Sequence, residues 1–492
     1  MITAVEAAKI SVEDITTMPK VMLYASILWF LLGGGAGILM VASHISGLLS
    51  IPYYYEAMTI HGVVMTFGGV FQLMMSLSLL RAGFCYGKPV KGWLVSAALL
   101  LLNIGLLMLF TSAILGVRTS YTLMYPLPAV GAMRGLWSLG GLTIFIWGVI
   151  LVAAVVIAIY PATLARLIFF GKTREAHILE RFMGTLNPSG MASMLPYIFI
   201  VPVMGSTILL AATLIGLMLL NIIPSQAIAW LLHPLNFNYP FWIWAHNLME
   251  AMGVMAIGTV YWLIPRYTRR YETSADVSPH LYSEKLGIFA IIFYSTAAVM
   301  AFPHHLFTMP TSQPLGLSYT GQIASWLTGF GAAFSVFNIA ATSYRYGLRL
   351  TPATLAATLG FTIYIADGFL AMQLGTIGWA YRLHGTYYVT AHLMTILLAV
   401  TLMWIGALYH SHSLITGRNP SNKPAYIHII LTAIAALGIF YTMSFMGAEG
   451  MPRRAYPLPL EAGGPIAILL VFGVLLAIGQ AVFIGGLLRR RR

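Results

Sequence analysis

The stretch LGIFAIIFYSTAAVMAFPHHLFTM, residues 286–309, decides the fold. It holds no Asp, Glu, Lys or Arg and is long enough to cross a bilayer, which takes about 20 apolar residues as a helix. It ends in two adjacent imidazoles, His304 and His305, directly behind Pro303. Similar runs recur to either side. With this one they predict about twelve spans, over 20–50, 57–81, 92–117, 136–165, 192–222, 239–265, 286–309, 319–344, 353–380, 384–412, 424–447 and 463–488. The runs are continuous rather than alternating, which excludes a closed barrel. The reading is an all-α membrane protein. Residues 20–488 form a single twelve-helix domain, 1–19 an N-terminal cytoplasmic segment and 489–492 a basic cytoplasmic tail.

Composition agrees. Of the 492 residues 59% are hydrophobic and 8% charged, against about 25% charged in a soluble domain. A water-soluble enzyme and a disordered chain are both excluded. A single Cys, Cys85, excludes a disulfide framework and a multi-Cys metal site. The net charge of +13 is spread over short loops, so it reads as topology and not as nucleic-acid binding. If both termini are cytoplasmic, 21 of the 26 Lys and Arg fall on the inner side. The rest, Arg118, Arg134, Arg382, Arg453 and Arg454, fall on the outer side. That segregation supports the orientation and an even helix count.

Ionisable residues inside a bilayer are costly and mark function. His61 on helix 2, His246 on helix 6, His304 and His305 on helix 7 and His392 on helix 10 all fall in the outer half of the membrane. Four helices far apart in sequence thus present imidazoles at one depth, the pattern of a buried metal or cofactor centre. Pro303 removes a backbone donor and favours a local distortion that lets both neighbouring imidazoles reach one metal. His246 and Glu250 are four apart and share a helix face at about 6 Å, so a three-His site with a carboxylate beside it follows. His392 and Met394 are about 200° apart around helix 10, facing two different cofactors. Heme iron accepts either side chain. Asp367 lies in helix 9, and His384 opens helix 10. A twelve-helix transporter with histidine relays fits the composition too.

These residues resemble the catalytic subunit of the heme-copper oxidase superfamily over about 20–488. The motifs are His61-Gly-Val-Val-Met65, Trp244-Ala-His246-Asn, Pro303-His304-His305-Leu-Phe-Thr, His384-Gly-Thr-Tyr-Tyr-Val-Thr-Ala-His392 and Gly450-Met-Pro-Arg453-Arg454. The resemblance implies two hemes, one low-spin and one high-spin, and one copper or non-heme iron. His61 and, by position, Met394 would hold the low-spin heme, and a thioether there raises its potential. His392 would hold the high-spin heme, His246, His304 and His305 the second metal, and Arg453 and Arg454 the heme propionates. Asp367 and His384 would support the ligands without binding metal.

The departures bear on the reaction. Oxygen-reducing members usually carry a Tyr four residues after the helix 6 His, where this chain has Glu250. Members with that Tyr on helix 7 carry it six residues before the His pair, where this chain has Ala298, and Tyr294 is a further turn away. Leu248 replaces a proton-channel Glu, Gly385 the Asp of a magnesium site, and no Lys lies between Lys285 and Lys423. Nitric oxide reductases of the superfamily resemble this chain at Glu250. The expectation is therefore reduction of two NO to N2O and water, with Glu250 as proton donor or fourth metal ligand. Reduction of O2 to water by a cytochrome c or quinol oxidase is the alternative. Implied partners are an electron-donor subunit, cytochrome c or quinol, the gaseous substrate and the lipid bilayer, with no nucleic acid. The expected location is the plasma membrane of a prokaryote.

Overall fold

The computed structural model describes residues 11–118, 137–170, 188–273, 279–309, 313–418 and 421–488. Most of the predicted terminal segments, with Lys9, Arg134, Lys172, Arg174, Arg181 and Arg489 to Arg492, lie outside these. Twelve helices among the described residues are long and apolar enough to cross a membrane: α1 Val12–Ser46, α2 Ile51–Tyr86, α3 Trp93–Ile114, α4 Leu139–Phe169, α5 Pro188–Leu219, α6 Pro234–Arg266, α7 Glu284–Leu306, α8 Leu315–Tyr346, α9 Pro352–Leu374, α10 Tyr387–Thr416, α11 Asn422–Ala448 and α12 Leu460–Gly486. The chain is a multi-pass, all-α membrane protein.

The first helix begins inside the segment read as 1–19. Ser11 caps it by accepting from the Asp14 N–H, and Glu13 and Asp14 sit in its first turn, where acidic side chains complement the helix dipole. Hydropathy is blind to such a start. The reverse correction holds at helix 10. His384 does not open it but lies in extended backbone at the end of a short helix, Ile377–Leu383. Gly385 follows at φ 83° and Thr386 caps α10 through the Tyr388 N–H. A glycine in the left-handed region breaks the helical run that hydropathy alone joins.

Sequential helices pack in pairs and α12 returns onto α1, closing the bundle. α6 reaches inward to α9 and α10, and α10 also touches α1 and α2. In their most apolar stretches α6 is 89% and α2 78% buried, against 22% for α1 and 17% for α12. The helices that carry His246 and His61 therefore form the interior, and the outermost ones meet lipid. Two deviations from α-helix fall on predicted ligands. Residues Ile60–Phe71 of α2 are π-helical, and Phe302–Leu306 of α7 form a 3-10 turn. Both forms often mark functional sites.

Candidate metal centre

The 3-10 turn behind Pro303 brings His304 and His305 to one side of α7, with ring centroids 4.2 Å apart. Across from them, α6 presents His246, only 7% exposed. One nitrogen from each of the three rings lies within 4.8 Å of the others, and His305 Nε2 is 3.4 Å from His246 Nδ1. Each ring is held from outside. His246 Nε2 donates to Ala298 O at 3.0 Å, and His304 Nδ1 donates to Ser325 Oγ at 2.8 Å. Ser325 in turn donates to Gly321 O. The Trp242 indole stacks on His305 at 3.8 Å and 5°. Gly321 lets α8 approach, since a Cβ there would stand 2.8 Å from His304 N. Three oriented imidazoles, each with an outward nitrogen to spare, fit copper or non-heme iron.

Glu250 lies one turn below His246, its Oε1 3.9 Å from His246 Nε2. Its other oxygen, Oε2, accepts from the Tyr294 hydroxyl at 2.5 Å, and Tyr364 donates to Tyr294 at 3.0 Å. Spacing along α7 gave Tyr294 no place at the site. The structure brings it there through Glu250, because α7 packs closely on α6 and side chains from both meet in the seam. Room for the second phenol, Tyr364, comes from Gly253, three residues after Glu250. A Cβ there would lie 2.4 Å from the Tyr364 hydroxyl, so glycine opens the space in which the phenol sits.

On the other wall, His392 of α10 donates from Nδ1 to Asp367 Oδ2 of α9 at 2.9 Å. Asp367 is 2% exposed, and its Oδ1 has no hydrogen-bond partner. A carboxylate so buried is costly. Its gain is a fixed ring that leaves Nε2 free, the arrangement typical of ligating histidines. His61, at the start of the π-helical segment, donates from Nδ1 to Gly33 O at 2.9 Å. Its ring packs on α1 at Gly37, where a Cβ would stand 2.6 Å away.

One cavity of about 530 Å³ joins these walls. His61, His246, Glu250, His304, His305 and His392 line it, as do Met394, His384, Arg453 and Arg454. Asp367 stands behind His392 rather than on its surface. The loop bearing the arginines is pinned to the start of α10 by Tyr387 N to Met451 O and Arg453 N to Gly385 O, both 2.9 Å. It is pinned to α2 by Tyr55 donating to Arg454 O at 3.1 Å. Arg454 sits at φ 59°, a strained backbone for a non-glycine residue and one that marks function. His384, outside the spans, has its pKa pushed down to about 4 by burial and then by the charges of Arg453 and Arg454. His44 also lines the cavity and bonds Tyr54 at 2.9 Å. His410 and His428 bond Tyr267 and Tyr409 elsewhere.

Residues 17–482 match the family described as cytochrome C and quinol oxidase polypeptide I. The chain belongs to that family. That match supports the heme-copper oxidase superfamily, as the motifs implied. A heme-copper oxidase subunit I+III of Aeropyrum pernix is 24% identical over 98% of this chain and 58% of its own length. An alternative cytochrome c oxidase subunit 1 of Bradyrhizobium diazoefficiens is 25% identical over 51% of this chain and 42% of its own. A quinol oxidase subunit 1 of Bacillus subtilis is 23% identical over 45% and 33%. The matches thus span less than two thirds of these relatives. The fold is similar to a heme-copper terminal oxidase dimer seen by cryo-EM, with TM-score 0.77, 18% identity, and 97% and 85% of the two chains covered. These relatives carry oxidase names, which favours the oxygen alternative over the nitric oxide expectation.

Proposed function

We propose that this chain is the catalytic subunit of a membrane-bound terminal oxidase that reduces O2 to water. The carrying observation is the shared cavity. A three-imidazole tripod from α6 and α7 opens into the same space as His392, whose ring Asp367 fixes. The residues fit a metal on His246, His304 and His305 and a high-spin heme on His392, with a second heme on His61. When bound, these groups supply the electron transfers and the binding of the diatomic substrate. The protein's part is to orient the ligands, exclude water and hold protons. Glu250, Tyr294 and Tyr364 form a hydrogen-bonded row beginning beside the tripod, so a proton held at Glu250 Oε1 can be replaced through Oε2. The Tyr294 phenol also restores to the site the residue type whose absence argued against oxygen. Phe145 and Val149 of α4 and Ile208 and Ala212 of α5 give the cavity apolar lining, suited to a small apolar gas.

The location proposed with it is a prokaryotic plasma membrane, and the Lys and Arg distribution supports cytoplasmic termini with the centre in the outer half. Residues 20–488 would act as one catalytic domain. Electrons would come from a donor subunit, cytochrome c or quinol. Nitric oxide reduction is the second reading, favoured by Glu250 alone, which stands where the resembling reductases carry Glu. Turnover of the purified protein with O2 and separately with NO decides. Rapid reduction of O2 to water with NO acting only as an inhibitor supports the oxidase. Stoichiometric N2O from NO with negligible O2 consumption overturns it.

A further inference from the structure

We infer that Gln313, in the connection between α7 and α8, is a positioning residue of the three-imidazole centre: its amide holds the turn that carries His304 and His305. The inference rests on the proposed function, since it presumes a metal on those rings.

Gln313 belongs to a connecting segment, yet only 7% of it is exposed. Glutamine is mostly a surface residue, and a buried amide is normally there to make a hydrogen bond. Its Nε2 donates to Pro303 O at 2.9 Å, in a buried contact. Its Oε1 is buried as well and has no hydrogen-bond partner. An unpaired buried oxygen is destabilising, so the position is held for what the other end of the amide grips. That grip is placed with some precision. Pro303 has no N–H, so the carbonyl four residues earlier, at Val299, cannot receive its helical bond. Here α7 gives way to the 3-10 turn Phe302–Leu306. Pro303 O belongs to that turn and directly precedes the two histidines.

Two other holds on the turn come from α8. Gly321 lets that helix approach until a Cβ would stand 2.8 Å from His304 N and 3.0 Å from Pro303 Cβ. Ser325 accepts from His304 Nδ1 at 2.8 Å. The first is a packing contact, which limits approach without giving direction, and the second acts on the ring. The peptide plane between Pro303 and His304 is the part that Gln313 sets, because a carbonyl and the N–H of the next residue turn as one rigid unit. The bearing of His304, and of His305 one peptide further on, follows from that plane. Gln313 is not among the residues that line the cavity. Its action on a metal therefore runs through the backbone alone. Pro314 caps the start of α8 directly after it, so the same side chain ties the end of α7 to the start of α8.

The test uses the full-length protein purified with its hemes and second metal. Gln313→Met keeps the length of the side chain and removes the amide. Metal affinity, read by competition with a chelator, should fall about tenfold, the lower end of what partners of metal ligands contribute. X-ray absorption at the metal edge should show all three imidazoles bound in the wild type and fewer in the variant, with both heme spectra unchanged. Gln313→Asn keeps the amide but shortens its reach by a methylene. It should lose less affinity, and it serves as the test where Gln313→Met does not fold. Wild-type affinity and ligand number in the variant overturn the inference. So does a parallel loss of the metal and both hemes, which makes Gln313 an anchor of the fold alone. A wild type that holds hemes but no metal on the imidazoles loses the functional reading and the inference with it. A wild type that holds the metal, with variants that bind it equally well, loses only the inference.

Discussion

Asp367 Oδ2 lies 2.9 Å from His392 Nδ1, a bond from α9 to α10 that fixes a ring facing the same cavity as the three-imidazole tripod. It sets the tautomer of His392 and the direction of its free nitrogen. Removing such an orienting partner costs about 10–100-fold in metal affinity or activity. Asp367→Asn should therefore lower turnover by about that factor and weaken retention of the high-spin heme, while the His61 heme stays spectroscopically unchanged. Equal loss of both hemes would mean that Asp367 only supports folding.

Tyr294→Phe removes the hydrogen bond to Glu250 and leaves the ring packed. Tyr294 is the donor that would return a proton to Glu250, and proton transfer by a positioned side chain contributes about 10²–10⁴-fold, so turnover should fall at least about tenfold with both heme spectra intact. Tyr364→Phe, one step further from the centre, should cost less. Stopped-flow oxidation of the reduced enzyme checks both. Equal rates in Tyr294→Phe and wild type would remove the phenol from the reaction.

Gly37→Ala places a methyl group 2.6 Å from the His61 ring. Overpacking of this kind costs about 1–3 kcal/mol. Here the ring is what must move, away from Gly33 O. The low-spin heme should be depleted in the purified variant while metal content is unchanged. Quantitative heme and metal analysis is the measurement.

Arg453→Leu and Arg454→Leu each remove a cation from the end of the cavity where a porphyrin carboxylate would lie. Heme should dissociate faster from both variants, and from the double variant fastest. Transfer of heme to an acceptor protein gives the rates. Unchanged rates would make the pair ordinary loop charge.

Much of this was legible in the residues because a membrane leaves few polar side chains to choose among. The apolar runs located twelve helices, and Pro303 before two histidines anticipated the 3-10 turn. What escaped were relations across helices. Tyr294 is ten residues before His304, a spacing with no meaning along α7, and reaches Glu250 only because α6 lies alongside. Hydropathy alone puts His384 on α10 because it cannot see the positive φ of Gly385. The preference for nitric oxide leaned on one position, Glu250. The relatives and the neighbouring phenol outweigh it.

The tripod draws its three rings and their orienting contacts from α6, α7 and α8, whereas His392, Asp367 and the arginine loop belong to α9, α10 and the α11–α12 connection. Each half of the centre thus brings its own scaffold. The hydrogen bonds that orient the three rings are distinct from the one that orients His392, so a change at Asp367 leaves the bearings of the tripod in place.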